Sequence, residues 1–431
     1  MKTKLSFETK DFSEALAKIG SIVNSKLALP IMGDILLAYD KQESIFTMTA
    51  SDTESWITMK CVNRDGEPFV RIEEADNTDP FEAVCLPYKA LREAVGVLPK
   101  VGVLRVTFEA DTNQSAGKYE VVYGTNLNDE DENRRQGGRF TLPFDSAVEY
   151  PRPQQVVTRE AAQQGGQTAQ PVCRFTVDAA KILTPMKQAR VCCASDELRP
   201  VMNGECLDIH HDHIVIVASD GHSLFKQAID LGVGYLSYGE FPADQNAMLL
   251  VPKSVLTSIS DTMQGDITVT ADSQRIEWRT ANVIIVCRQI EGKYPNYNSV
   301  IPQETPVRIA CDRRDIVAAL RRVSLFASDA SQLVKLTAAG QTADGVQNIE
   351  LSADDWDFSK GATERVALSD AAAADGFSIG FKCSTLLGLL GCIDTDGVVF
   401  NLADASHAFL LREDDTKSSK VMLCMPMLVN E

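Results

Sequence analysis

The feature that most constrains the fold of this chain is a short pattern that occurs three times: an alternating apolar strand that ends in an aspartate-bearing corner of small residues. The clearest copy spans Leu207–Phe225, where the alternation runs to Val217 and a second strand begins near Leu224. The other copies span Ser44–Ile57 and Asn348–Phe358. Three copies of one hairpin predict three copies of one structural module. Their corners read Ala50-Ser51-Asp52, Ala218-Ser219-Asp220 and Ser352-Ala353-Asp354.

The order of the predicted elements also restarts twice along the 431 residues. Each unit begins with a strand and a helix (LSFETKDF, RFTVDAAKI, RIACDRRDI), and a second strand–helix pair follows (VCLPYKAL, LLVPKSVL, IGFKCSTL). Units of roughly 130 residues are longer than the repeats of about 20–50 residues that build solenoids. The sequence therefore predicts an α+β chain of three similar domains, each with two helices packed on antiparallel sheets. They are residues 1–150, 172–302 and 303–431, with a Gln-, Pro- and Gly-rich linker at 151–171.

Composition narrows the function classes. The chain has 42 Lys and Arg against 60 Asp and Glu, a formal net charge of −18, which taken whole argues against a nucleic-acid binder, although the distribution of the charges can override the sum. No apolar run approaches the ~20 residues that span a bilayer, and the N-terminus MKTKLSFETKDF lacks the apolar segment of a signal peptide. The 11 cysteines are scattered without a CxxC pair, as in proteins with reduced, buried thiols. We therefore expect a cytoplasmic protein with no membrane partner.

The cations are concentrated on the predicted helices, whereas the loops at 73–79 and 126–132 are densely acidic. In the helix predicted over Asp312–Ala327, Arg314, Arg321 and Arg322 project from the side opposite the apolar stripe. This segregation is consistent with local phosphate binding on an otherwise acidic chain. The alternative is that Lys and Arg, as good helix formers, occupy solvated faces. Other helices or their ends carry Lys89, Arg92, Lys187, Arg190 and Lys253.

Three clusters were considered for chemistry. Ser219, Asp220 and His222 raise a hydrolase alternative, although no GxSxG, HExxH or phosphate-binding glycine motif accompanies them. For the histidines of the 210–213 segment, alternation is expected to send His211 and His213 to one face and His210 to the other, which favours a solvated turn over a metal site. The C-terminal Met425-Pro426-Met427 is either a core edge strand or an adaptable thioether-lined peptide groove. We expect no cofactor and no metal.

Several of these segments resemble the bacterial DNA polymerase III beta subunit, the replicative sliding-clamp family. They are LALPIMGDILL at Leu27–Leu37, RPVMNG at Arg199–Gly204, ASDGHSLF at Ala218–Phe225, GKYPNYNSVIP at Gly292–Pro302 and MPM at Met425–Met427. The resemblance runs in order over nearly the whole chain. It implies a head-to-tail homodimer whose six domains close into a ring around duplex DNA, with the helices lining the hole. Such a ring would contact phosphates without reading bases and would confer processivity without catalysing a reaction.

The resemblance also implies three sets of site residues and a set of partners. The partners are the DNA polymerase III subunits, the clamp loader and repair polymerases, which would bind through short peptide motifs. The peptide pocket would contain Arg199, Met202, Ser219, Gly221, His222, Leu224, Pro295, Val300, Leu423, Met425, Pro426 and Met427. The DNA-facing residues would include Lys26, Arg313, Arg314, Arg321 and Arg322, together with the helix cations named above. The dimer contact would bring Phe140 and Leu142 against Val323 and Phe326.

Overall fold

The computed structural model describes residues 2–23, 29–74, 82–109, 117–125, 136–153, 156, 173–233, 235–239, 247–341, 347–355, 357–372 and 376–429. Lys26, the acidic stretches 75–79 and 126–132, and most of the predicted linker lie outside the described residues. The same order of elements occurs three times. Each module has a strand, a helix, three strands, a short extra strand, a strand, a second helix and three final strands.

The first helix of the first module starts at Thr9 and buries Phe12, Leu16 and Ile19 on one face. Its second helix starts at Tyr88, directly after Pro87. The elements are β1 Lys2–Glu8, α1 Thr9–Ile19, β2 Asp34–Asp40, β3 Ile45–Ser51, β4 Ser55–Lys60, β5 Val70–Glu74, β6 Ala83–Pro87, α2 Tyr88–Gly96, β7 Val103–Glu109, β8 Gly117–Thr125 and β9 Gln136–Ser146.

The second module repeats this order with a proline, Pro185, inside its first helix. Its second helix starts at Lys253, directly after Pro252, as the second helix of the first module does after Pro87. The elements are β10 Cys173–Asp178, α3 Ala179–Ala189, β11 Gly204–Ile209, β12 His213–Ser219, β13 Ser223–Asp230, β14 Leu236–Gly239, β15 Ala247–Pro252, α4 Lys253–Thr262, β16 Asp266–Ala271, β17 Arg275–Arg279 and β18 Val283–Arg288.

The third module has the helix with the densest positive charge, and Asp312 caps it by accepting hydrogen bonds from the backbone N–H groups of Arg314 and Asp315. The apolar stripe of this helix is buried, as its spacing predicts. The elements are β19 Val307–Asp312, α5 Arg313–Val323, β20 Leu333–Gln341, β21 Gln347–Asp355, β22 Lys360–Ala367, β23 Asp370–Ala372, β24 Ser378–Lys382, α6 Cys383–Leu390, β25 Gly397–Leu402, β26 Phe409–Glu413 and β27 Val421–Cys424.

The sheets join the end of one module to the hairpin of the module before it. The first sheet has the order β14-β10-β16-β17-β18-β4-β3-β2-β6-β9-β8-β7-β1-β5, so β18 pairs with β4. The second has the order β15-β11-β12-β13-β27-β26-β25-β19-β23, so β27 pairs with β13. The third, β22-β21-β20-β24, belongs to the third module alone. Because strands of successive modules pair in this way, the described residues form two compact units whose boundaries differ from those of the modules.

The first unit comprises Met1–Ala180, Ser237–Gly239 and Ser254–Gln289, and the second comprises Lys181–Leu236, Glu240–Lys253 and Ile290–Glu431. The domain boundaries at 150, 172 and 303 therefore stay a prediction.

The aspartate corners form as predicted in the first two modules but not in the third. The carboxylates of Asp52 and Asp220 each accept two backbone N–H groups of their own turn. In the third module the strand continues through Asp354 to Asp355, which pairs with Lys360. The predicted corner at Asp354 is wrong because the alternation does not stop there: Leu351, Ala353 and Asp355 are all buried on one face.

Candidate functional site

The corner between β12 and β13 is a rigid turn. Asp220 Oδ1 accepts hydrogen bonds from the backbone N–H of His222 at 2.9 Å and of Ser223 at 2.6 Å. The Ser219 hydroxyl donates to the Ser223 carbonyl at 2.8 Å. Gly221 has a φ of +87°, in the left-handed region that favours glycine. The turn therefore presents Gly221 and His222 at the surface in a fixed orientation.

These hydrogen bonds give no support to the hydrolase alternative. The Ser219 hydroxyl hydrogen is donated to a main-chain carbonyl, and the Asp220 carboxylate accepts main-chain amides. Within the described part of the chain, the His222 ring forms no hydrogen bond with either side chain. A triad needs the base hydrogen-bonded to the nucleophile and to an orienting acid, and this corner holds neither bond.

The floor below this corner is apolar. Leu224 on β13 pairs with Leu423 on β27 in antiparallel register, and the two side chains are only 1% and 4% exposed. Both belong to one buried cluster with Tyr294 and Tyr297. The backbone N–H of Met425 donates to the His222 carbonyl at 2.8 Å, which continues the pairing past the end of β27. Two chain segments about 200 residues apart thus form one surface.

Arg199 lies along the corner. Its Nε donates to Asp196 Oδ2 at 3.0 Å, and a Cβ added to Gly221 would lie 2.7 Å from its Nη1. Position 221 therefore favours glycine for its backbone conformation, and a larger residue would also require the flexible end of Arg199 to shift. Met202, whose backbone N–H donates to the Arg199 carbonyl, is buried behind the arginine.

The opposite rim is formed by the last residues of the described chain and by the Pro295–Val300 segment. Met425 is 40% exposed and Val300 is 54% exposed, whereas Pro426 and Met427 are half-buried. The backbone N–H of Met427 donates to the Gly380 carbonyl at 2.8 Å. The twelve predicted pocket residues thus all lie in the second unit. Gly380 was missed by the sequence analysis, because nothing in IGFK marks the close approach of another segment.

A buried ionic network holds the second-module helix α3 against the third module within this unit. The ammonium group of Lys420 is buried and donates to Asp394 Oδ2 at 2.6 Å and to Glu413 Oε1 at 2.7 Å. Gln188 on α3 donates to the same Asp394 at 3.0 Å. Hydrogen bonds from Lys420 help to keep the pKa of Asp394 and of Glu413 below the usual range, against the opposing effect of burial. β27 is therefore anchored at its start as well as at its pocket end.

Several of the predicted DNA-facing cations bond within the chain. Arg314 pairs with Asp396 at 2.9 Å, Arg322 forms a two-point pair with Glu364, and Arg313 donates to the Thr395 carbonyl. The hydrogen bond between Arg322 and Glu364 keeps the pKa of Glu364 below its usual range and the pKa of Arg322 above its usual range. The sequence could not reveal these partners, which lie about 40 or 80 residues away. Lys253 donates to the Cys193 carbonyl and Arg92 to the Tyr88 hydroxyl.

Lys89, Lys187 and Arg321 are exposed, and no acid among the described residues pairs with them. Arg190 is half-buried at the end of α3. Among the predicted DNA contacts, Lys89, Lys187 and Arg321 are therefore exposed cations without a carboxylate partner among the described residues.

The four predicted dimer residues differ in accessibility. Phe140 and Leu142 are half-buried on β9, and Phe326 is 40% exposed. Val323 is 1% exposed because it belongs to the buried stripe of α5. Leu325, which the sequence analysis did not single out, is 75% exposed at the same helix end. The exposed apolar pair at this end is thus Leu325 and Phe326.

The histidine segment departs from the expected alternation. His210 and His213 lie opposite each other across a two-residue turn, and their rings stack with centroids 4.3 Å apart. The prediction that they face opposite sides is wrong because paired residues on either side of a tight turn point the same way. Over the described residues, no group of three or more His, Cys, Asp or Glu side chains could hold a metal ion.

Comparisons with solved structures define the class of protein. The chain superimposes over its full length on the sliding clamp (DNA polymerase III subunit beta) of Pseudomonas aeruginosa bound to griselimycin, with a TM-score of 0.76, 19% identity and 100% of each chain covered. The Bartonella birtlesii clamp bound to griselimycin gives 0.77 at 21% identity, again with 100% of each chain covered. The fold is therefore the three-domain fold of DNA sliding clamps.

Sequence comparisons then give the family. The DNA polymerase III beta subunit profiles match residues 176–296 (central domain) and 298–428 (C-terminal domain). The beta sliding clamp of Pseudomonas aeruginosa is 22% identical over 421 residues, 96% of this chain and 98% of that protein. The chain belongs to the DNA polymerase III beta subunit family. Its function is that of a sliding clamp, a processivity factor of DNA replication that is not an enzyme, and DNA and polymerase are the partners that the family implies.

No helix within the described residues has the length and apolar character that crossing a membrane requires.

Proposed function

We propose that this clamp works in the cytoplasm as a head-to-tail homodimer that encircles duplex DNA. The observation that carries the proposal is the rule by which the modules join: the third hairpin strand of one module pairs with the last strand of the next, as β4 does with β18 and β13 with β27. The third module's hairpin shows no such pairing within the described residues. Its equivalent strand β22 has only β21 as a neighbour in the described chain.

The first module supplies the matching edge. Its last strand, β9, is the equivalent of β18 and β27, yet it pairs only with β8 along residues 136–144 and reaches β6 just at 145–146. Pairing β22 of one copy with β9 of another would repeat the internal rule at the junction between chains. It would also bring Phe140 and Leu142 near Leu325 and Phe326. Two such junctions in a head-to-tail pair satisfy every open edge of this kind.

The exposed cations suit a sequence-independent contact with phosphate. Lys89, Lys187 and Arg321 carry charges that no described acid offsets, and Arg314 and Arg322 can exchange a carboxylate for a phosphate. The net charge of −18 repels DNA from the remaining surface. A duplex held by a few phosphate contacts can slide, because no base is read.

The apolar pocket of the second unit is proposed to bind short peptide motifs of the replicative polymerase, the clamp loader and repair polymerases. The exposed Met425 and Val300 offer apolar surface to the side chains of a guest, and the buried Leu224 and Leu423 support the corner from within the core. Arg199, His222 and the corner carbonyls supply polar groups at the edge. Partners with different sequences can share such a site because thioether side chains re-pack.

The test of encirclement compares circular with linear DNA. The protein, 47.1 kDa per chain, should sediment as a dimer, be retained on a nicked circle after loading, and be lost once the circle is cut. Lys360→Pro places a residue that cannot donate a ladder hydrogen bond on β22 and should shift the mass toward a monomer. Equal retention on circular and linear DNA would contradict encirclement.

The test of the pocket uses griselimycin, the compound bound in the two clamp structures described above. Wild type should bind it with one site per chain, and Met425→Asp should weaken binding by about tenfold or more because a carboxylate would be desolvated by an apolar guest. Met248→Asp, a partly exposed methionine on β15 outside the pocket, is the matched control. Unchanged binding by Met425→Asp would place the ligand elsewhere.

A further inference from the structure

The wall of the pocket that contains Val300 is a single turn of helix, whose side-chain hydrogen bonds run to Asn296: Asn296 Oδ1 accepts from Asn298 N–H at 3.2 Å, and Ser299 Oγ donates to the Asn296 carbonyl at 2.7 Å. This 3-10 turn spans Tyr297–Val300. Its local backbone hydrogen bonds are long, 3.3 Å from Ser299 N–H to the Asn296 carbonyl and 3.4 Å from Ile301 N–H to the Asn298 carbonyl. A one-turn helix is not stable in water by itself. The position of Val300 therefore depends on what holds the first residues of this turn.

Tyr297 makes the first attachment. Its ring is buried in the cluster that contains Leu224 and Leu423, and its hydroxyl donates to Asp208 Oδ2 at 2.7 Å. Asp208 lies on β11 and is only 3% exposed. A buried carboxylate is costly unless it accepts hydrogen bonds, so this acceptor holds the tyrosine in one place.

Lys226 makes the second attachment, from β13. Its Nζ donates to Asn298 Oδ1 at 2.7 Å and lies 5.3 Å from the centroid of the Tyr297 ring. Asn298 is the residue after Tyr297, so the two bonds hold adjacent positions of the turn from two different strands. Lys226 is also two residues from Leu224, which ties the wall to the floor of the pocket.

The groups around Asp208 also affect the protonation of the residues that hold the turn. His210 Nε2 lies 3.3 Å from Asp208 Oδ2, and the charge of Asp208 acts on Lys226 to raise its pKa, against the larger lowering effect of burial. Burial, reinforced by the bond to Asp208, raises the pKa of the Tyr297 phenol. The phenol therefore stays protonated and remains a donor through the physiological range.

We propose that Asp208, Tyr297 and Lys226 are positioning residues for peptide binding: they hold the Tyr297–Val300 wall over the Leu224–Leu423 floor. This inference rests on the proposed function of the pocket and adds determinants that lie outside its surface. Loss of the attachments should let the wall move and weaken a guest that contacts both wall and floor. It should not change dimerisation or retention on circular DNA, because these three residues lie outside both proposed surfaces.

The experiment measures griselimycin affinity for the full-length dimer well below its melting transition. Tyr297→Phe, which removes only the hydroxyl, should weaken binding by about fivefold to tenfold, on the scale of one hydrogen bond to a charged group. Lys226→Met should weaken it about threefold and is the milder variant if Tyr297→Phe folds poorly. In Tyr297→Phe/Asp208→Ala the losses should be less than additive, since each single change removes the same hydrogen bond.

Tyr150→Phe is the matched control. Tyr150 precedes a proline in the first module, as Tyr294 does in the second, and its buried hydroxyl donates to the Thr49 carbonyl at 3.3 Å. It should lose stability without a change in affinity. If Tyr297→Phe and Lys226→Met lower only the melting temperature and bind as wild type does, the positioning role is wrong. If wild type itself fails to bind, the proposed pocket fails instead.

Discussion

The corners of the first and second modules share one set of backbone hydrogen bonds but differ in a single large side chain. Asp52 and Asp220 cap their turns alike, and the residue after each has a left-handed φ, +81° at Thr53 and +87° at Gly221. Each corner also accepts a backbone hydrogen bond from the following module. The N–H of Arg288 donates to the Glu54 carbonyl in the first corner, and the N–H of Met425 donates to the His222 carbonyl in the second.

Trp56 occupies the position of Leu224, four residues after the aspartate, and pairs with Val286 as Leu224 pairs with Leu423. Its indole N–H donates to the Pro151 carbonyl at 3.1 Å, so this side chain reaches the Tyr-Pro segment of its own module. In the second module the same position carries Leu224, which is 1% exposed. The two corners thus share one scaffold and differ at this position, with a tryptophan in the first and a leucine in the second.

The largest expected effect comes from placing a tryptophan in the second corner. Leu224→Trp should weaken griselimycin binding about 100-fold or more, because the indole would take the volume of the guest. Trp56→Leu, the reciprocal change, should leave affinity and the one-site stoichiometry unchanged. Calorimetric titration measures both quantities. Wild-type affinity in Leu224→Trp would break the comparison, and two sites in Trp56→Leu would show that the tryptophan alone closes the first corner.

The next largest effect concerns a buried acid that the second module alone carries at one core position. Ile35, Glu205 and Val334 occupy equivalent positions on β2, β11 and β20, and all are fully buried. Neither carboxyl oxygen of Glu205 has a hydrogen-bond partner among the described residues, and burial raises its pKa well above 4.5, with Arg190 opposing the shift. Folding therefore favours the protonated form.

Glu205→Ile should stabilise the protein by about 2–3 kcal/mol at neutral pH. The sign follows from proton linkage: above pH 4.5 the unfolded chain ionises Glu205 while the folded chain keeps its proton, so wild type loses stability as pH rises. The gain should shrink toward pH 4. Denaturant titrations across that range, with Ile35→Val as a volume-change control, measure it. A gain that does not depend on pH would contradict a protonated Glu205.

The smallest effect has opposite signs in the two corners. Gly221→Ala should destabilise the second unit by about 1–2 kcal/mol, because a residue with a Cβ is strained at the left-handed φ of +87°. Thr53→Gly should stabilise the first corner by about 0.5–1 kcal/mol, because a β-branched residue is strained there. Thermal melts measure both changes. Equal signs would show that the two turns are not the same structure.

The parts of the fold that local sequence patterns determine could be predicted from the sequence. The repeat of corners, the amphipathic helices and the three-module order follow from alternation, spacing and capping, as Asp312 and the buried face of α5 illustrate. The alternation also explains the one corner that was wrong, since it continues unbroken to Asp355.

The site itself depends on long-range pairing that local patterns cannot encode. The contact of Leu224 with Leu423, the bond from Met427 to Gly380 and the pairing of Arg322 with Glu364 join segments far apart in the chain. The family resemblance named the pocket residues on the rim, but it did not reveal Asp208 or Lys226, which act from behind the wall. Their roles follow only from coordinates.

The pairing of β27 with β13 bears on how the chain is made. During synthesis the open edge of β13 emerges about 200 residues before the strand that covers it, so the nascent second module must wait with an exposed ladder until translation is almost complete. A ribosome that stalls or terminates anywhere before Val421 releases a chain with a bare, apolar flank at Leu224. The proposed partner-binding surface therefore needs both segments, since a chain that ended before Val421 would lack β27 and its Leu423.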